Sequence, residues 1–143
     1  MIKGDVIRET TIHTMVRVLH AHPEIIFAYL HGSFLTGNQP RDVDLAVFAV
    51  TSTFQALEQT HQVTMELAIP LEMEIQEAIG LPVDLQVLNQ APLEFRCRVV
   101  DHGQLLLDRD PNLREDFELL TRKEYWDFRP MLEEHLQEAL KGA

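Results

Sequence analysis

The chain predicts an α/β (α+β) fold: a small mixed β-sheet with helices mainly on one face and a C-terminal helical tail. Three observations carry this. Two apolar, β-branched and aromatic runs, Ile25–Leu30 and Asp42–Val50, lie too close together for a helical crossover, so they should pair as antiparallel neighbours. Segments of helical period then alternate with two further short apolar runs. Beyond Asp108–Pro111 only helical spacing remains.

Taken in order, Ile12, Met15, Val16 and Leu19 recur at helical spacing and make an amphipathic opening helix that stops before Pro23. The strands Ile25–Leu30 and Asp42–Val50 follow, joined through a turn at Gly32 and a short helical turn over Phe34–Gly37. Phe54–Ile79 has the helical period, with Leu67, Leu71, Ile75 and Ile79 four apart and Pro70 expected to kink or split it. Glu58, Glu66, Glu72, Glu74 and Glu77 give this region an acidic outer face, read first as solvation. Gly80-Leu81-Pro82 ends the helix and starts the strand Val83–Leu88. Pro92–Asp101 predicts a helix with proline near its first turn, and Gln104–Leu107 a last strand. From Asn112, Leu113, Phe117 and Leu120 mark a helical stripe, interrupted near Pro130 and resumed by Leu132, Leu136 and Leu140. Length predicts one domain over 1–143, with a core of about 5–109 and a tail of about 110–143.

The chemistry concentrates at Gly32-Ser33 and Asp42-Val43-Asp44. Glycine at the end of a strand lets the chain turn tightly and lets a phosphate approach with no Cβ in the way, and Ser33 adds a hydroxyl to the backbone donors. Residues two apart on a strand share a face, so Asp42 and Asp44 stand together. Carboxylates that close raise each other's pKa unless a cation neutralises them, which calls for an oxygen-ligated divalent ion such as Mg²⁺. Asp84 opens the next strand between Val83 and Leu85, where packing alone would not place an acid. If that strand lies beside Asp44, three carboxylates meet at the rim of the sheet in a two-metal arrangement.

The run Leu30-His31-Gly32-Ser33-Phe34-Leu35-Thr36-Gly37, then Asp42-Val43-Asp44-Leu45, resembles the signature of the DNA polymerase β-like nucleotidyltransferases, with Asp84 matching the third acid. Short length without a second large domain resembles the minimal nucleotidyltransferase (MNT) antitoxins that pair with HEPN toxins. Val83–Pro92, Arg96-Cys97-Arg98-Val99, Gly103–Leu107 and Tyr125–Pro130 extend the similarity over nearly the whole chain. The resemblance implies an enzyme that takes AMP from ATP and attaches it to a tyrosine of a HEPN ribonuclease, silencing it. Gly32 and Ser33 would then hold the triphosphate, Asp42, Asp44 and Asp84 would bind Mg²⁺ and form the catalytic set, and Asp84 would help deprotonate the acceptor. The chain departs from the pattern in its short Ser33-to-Asp42 spacing, in Arg41 before the aspartates, and in Thr36 where arginine is common. Two alternatives stand beside this reading: a binding-only antitoxin with a degenerate nucleotidyltransferase fold, and an aminoglycoside-type small-molecule nucleotidyltransferase.

Composition narrows the partners. A formal charge of −11 repels nucleic acid backbones, and it steers the chain toward a basic protein such as an RNA-binding toxin, in keeping with a hetero-oligomer. Cys97 is the single cysteine, so no internal disulfide forms, and its expected state is a buried thiol. The absence of long apolar runs and of a leader-like start predicts a cytoplasmic protein with no membrane contact. The seven histidines show no zinc-ligand spacing. Tyr125, Trp126, Phe128 and Pro130 form the most aromatic stretch, read equally as core packing or as an interface anchor.

Overall fold

The computed structural model describes residues 2–36, 42–50 and 64–141 and makes the two motif runs the central pair of a four-stranded sheet. Strands β1 (Ile25–His31) and β2 (Val43–Ala49) are antiparallel neighbours. Strand β3 (Val83–Val87) lies parallel to β2, and β4 (Gln104–Asp108) lies antiparallel to β1. The order is therefore β3-β2-β1-β4, a mixed sheet as expected. β1 and β2 are covered on both faces, which explains why each is apolar almost throughout.

Helix α1 (Ile2–His20) and helix α3 (Ile69–Ile79) cover one face, where Met15, Leu19, Leu71 and Ile75 pack on Leu30, Leu45 and Leu85. Helix α4 (Leu93–His102) and the first half of α5 (Pro111–Lys141) cover the other. There Phe27 and Phe48 stack at 4.7 Å, and each ring lies 5.4 Å from Phe117 of α5. Helices thus lie on both faces, with the larger core on the side of α1 and α3. A short helix, α2 (Ser33–Thr36), follows β1.

Local sequence accounts for the joints. Pro70 splits its helix as predicted: a π-helical turn over Thr64–Ala68 hands over to α3, whose first turn holds the proline where no N–H is needed. Gly80 ends α3 in the left-handed conformation, φ 73°, with its N–H on the Gln76 carbonyl. Asp110 caps α5, its carboxylate accepting from the Leu113 N–H at 3.1 Å with Pro111 next in line. Pro130, by contrast, does not interrupt α5, which runs through it. The proline lies in a stretch, 126–131, whose residues are all exposed, where a missing donor costs less than in a buried helix. Gly37, Arg41, Glu58 and the first part of the helix predicted from Phe54 lie outside the described residues.

The acidic row of α3 does more than meet solvent. Glu72 accepts the Leu85 N–H at 2.9 Å, and Gln76 accepts the Val83 N–H at 3.0 Å, so both occupy the outer rim of β3. Glu74 reaches His22 at 2.9 Å. Cys97 is buried as expected, and desolvation, followed by its contact with Asp101, pushes its thiol up rather than toward reactivity. Trp126 is 65 % exposed with the Arg129 guanidinium over its ring at 5.4 Å, so it is not a core residue. Among the described residues no helix is long and apolar enough to cross a membrane.

Candidate functional site

Strand alternation sorts the chemistry from the core. On the face covered by α4 and α5, β1 presents Phe27, Tyr29 and His31, while β2 presents Phe48, Ala46 and Asp44. His31 stands opposite Asp44, and Asp44 stands opposite Asp84 of β3. A polar row thus crosses three strands at the end of an otherwise aromatic face. The apolar filling stops one pair below it, where Tyr29 faces Ala46.

Gly32 follows directly, with φ at 79°, a conformation only glycine adopts without strain. A Cβ there would also overlap the Asp44 carboxylate, which lies against the glycine backbone. Both constraints bear on one position, and Ser33 sits exposed just past it at the start of α2. The turn and the acid are packed as a unit, and the Leu35 N–H closes it on the Gly32 carbonyl at 3.2 Å.

The acids are placed unequally. Asp44 is half-buried, and desolvation lifts its pKa, with further lifting by Asp84 and Asp42 and an opposing pull from His31. Asp42 and Asp84 are exposed, and Asp84 accepts a hydrogen bond from Gln86 at 3.0 Å. Asp44 lines a cleft of about 600 Å³ with His31, Gly32, Leu35, Phe95, Arg98 and His102. Asp84 lines an adjoining hollow of about 420 Å³, and Phe95 belongs to both. As the side chains stand, no three acid, histidine or cysteine groups among the described residues form a metal cage. Asp44 and Asp84 share a face and, with the exposed Asp42 that precedes β2, offer oxygen donors of the type a hard divalent ion takes.

The raised proton affinity of Asp44 has a stability consequence. Its folded pKa lies above the usual carboxylate value of 3.8, so the folded state holds the proton more tightly and loses stability as pH rises through that window. In metal-free buffer at pH 7, Asp44→Asn is expected to melt above the parent, with the difference vanishing once the pH falls below the usual 3.8. Thermal denaturation across pH checks this, and identical curves at pH 7 would remove the electrostatic account of the acid row.

Sequence reasoning overlooked part of this cleft. The ring of His31 enters the cleft, edge-on to Phe95 at 5.5 Å, with Nε2 buried and unpartnered. Burial lowers its pKa first and Arg98 lowers it further, while Asp44 and Asp84 pull the other way. Phe95, Arg98 and His102 share one side of α4 through their i, i+3, i+7 spacing. That spacing was the available signal.

Comparison with known proteins agrees with this geometry. The family model described as Polymerase beta, Nucleotidyltransferase matches residues 13–112. No curated protein sequence matches the chain. Among solved structures, a toxin–antitoxin complex with AMP-PNP is similar at 23% identity and a TM-score of 0.69, covering 90% of this chain and 98% of that one. The toxin–antitoxin MntA-HepT is similar at 20% identity and a TM-score of 0.67, covering 92% and 98%. A complex of the tri-AMPylated Shewanella oneidensis HEPN toxin with its MNT antitoxin is similar at 20% and 0.68, covering 93% and 98%. At such identities the structural likeness establishes the fold. The family match spans well over half the chain and includes the glycine turn and all three acids, so this protein belongs to the polymerase beta nucleotidyltransferase family.

Proposed function

We propose that the protein is an antitoxin that transfers AMP from ATP to a tyrosine of a HEPN-type ribonuclease toxin and so silences it. The observation that carries this is the register Asp44 shares with Asp84, beside the Gly32 turn, where the Asp44 carboxylate leaves no room for a Cβ. Support for the partner comes from the MNT antitoxin complexes the fold resembles, one with an AMPylated HEPN toxin and one with an ATP analogue. The formal charge of −11 suits a basic, RNA-binding partner.

In this reading the backbone at Gly32 and the Ser33 hydroxyl receive the triphosphate at the mouth of the cleft. The acceptor oxygen forms a bond to the α-phosphorus, the bond from that phosphorus to the bridging oxygen breaks, and pyrophosphate leaves. Asp84 takes the hydroxyl proton, and the proton affinity of Asp44, raised first by desolvation, is raised further by Asp84 and Asp42. Mg²⁺, when bound by Asp42, Asp44 and Asp84, would neutralise the phosphates and acidify the acceptor hydroxyl.

The reading is tested by incubating the protein with ATP, Mg²⁺ and the product of its neighbouring gene, then weighing that product intact. A gain of one or more AMP groups is the expected result. A tight complex with an unmodified partner would overturn catalysis in favour of inhibition by contact. That second reading draws on Asp44 and Asp84 lining two adjoining hollows rather than one closed cage.

A further inference from the structure

Arg98 stands apart from the other arginines of the α4–α5 region. Arg96 is engaged by Glu124 and the Ala91 carbonyl, Arg114 by Asp108 and Glu118, Arg122 by Asp101, and Arg129 by Glu133. Arg109 binds the Ile25 and His22 carbonyls. Arg98 makes no ion pair with any described residue, although acids outnumber basic residues 23 to 12. Its guanidinium lies over the Phe95 ring at 5.8 Å, on the wall of the cleft that holds Asp44, Gly32 and His31. It is close enough to His31 to influence that ring's charge.

A cation that lines a cleft with a carboxylate yet does not pair with it is available for a ligand. A ligand that pairs with this cation must bring negative charge of its own, and a guanidinium offers parallel N–H donors matched to phosphate oxygens. The aromatic ring beneath it holds the fork over the cleft without neutralising it. Among the described residues that line the cleft, none on the glycine-turn side supplies a comparable charge.

We propose that Arg98 is the polyphosphate-binding residue of this cleft, placed by α4 opposite the Gly32 turn to hold the β- and γ-phosphates and then the departing pyrophosphate. This rests on the nucleotidyl-transfer reading and assigns the triphosphate a direction, away from β2 and toward α4. The adenosine end then lies on the opposite side of Asp44, and Arg98 distinguishes nucleotides by phosphate number rather than by base.

The test is calorimetric titration of the full chain with AMP, ADP and ATP in the presence of Mg²⁺. For Arg98→Gln, affinity for ATP is expected to fall about tenfold or more, as for loss of a charged hydrogen bond, while AMP affinity changes less than about twofold. Arg98→Lys, which keeps the charge but not the fork, should fall between. Arg98 is exposed and unpaired, so all variants should melt with the parent. Equal losses for AMP and ATP, or unchanged ATP binding in Arg98→Gln, would overturn the assignment and leave the transfer reading standing. A parent that binds no ATP would overturn both. Phosphate-graded binding without any AMP transfer would support Arg98 and remove the enzymatic reading alone.

Discussion

A variant carrying Asp42→Ala with Asp44→Ala should transfer no measurable AMP, a loss of at least about a hundredfold in rate, as expected when a preorganised charge site is removed. The fold should survive. Asp42 is exposed, and Asp44 lies in a field set by desolvation and by Asp42 and Asp84 that already favours its neutral form. Removing both charges relieves that repulsion, so the melting temperature should hold or rise while activity disappears. Intact-mass measurement of the partner and thermal denaturation read the two effects separately. Transfer at the parent rate by the double variant would show that Asp42 and Asp44 hold no essential metal or substrate.

The largest stability effect is expected at Arg114. Its Nε donates to Asp108 at 2.8 Å and its Nη1 to Glu118 at 2.7 Å, and Glu118 in turn accepts the Tyr29 hydroxyl at 2.8 Å. The three charged side chains are only 17–18% exposed. Burial and the Glu118 hydrogen bond hold the Tyr29 phenol far above its usual range, so it remains a donor. Arg114→Ala leaves two carboxylates largely desolvated and uncompensated, and one Asp108 oxygen is already buried without a partner. The expected cost is about 2–4 kcal/mol, below the range for a fully buried pair because some water remains. Urea denaturation measures it. Replacing Arg114, Asp108 and Glu118 together by apolar residues, with Tyr29→Phe so that no hydroxyl loses its acceptor, should recover most of the loss, since no lone charge is then left inside. If Arg114→Ala unfolds like the parent, the network contributes little to joining α5 to the sheet.

How much was legible follows from which signals are local. β1 and β2 were readable because central strands need apolar, β-branched runs, β3 because its apolar residues alternate toward the core, and the acids interrupting them had no packing reason to be there. Register then did what the sequence only allowed: it set Asp44 beside Asp84. The α4 side of the cleft was readable only in part: the spacing of Phe95, Arg98 and His102 marks one side of a helix, but they acquire meaning only once that helix lies over the acid row. His31 joins the cleft for a related reason, since its ring stands edge-on to Phe95, a contact that exists only once α4 is in place. Pro130 was read as an interruption, yet an exposed helix tolerates the missing donor. Helical cover on the second face depended on Leu113 and Phe117 packing against Phe27, a long-range choice that periodicity does not encode.

The two side chains of α3 that sit along the rim of β3 bear on how other molecules approach. Glu72 and Gln76 already take the outward amides of Val83 and Leu85, the hydrogen bonds an incoming extended segment would use. That border is closed to backbone-mediated annexation by a second chain, whether a toxin or another copy. Recognition there has to proceed through side chains and helical surfaces, which an acidic protein can make selective by charge instead of by the generic adhesiveness of peptide groups.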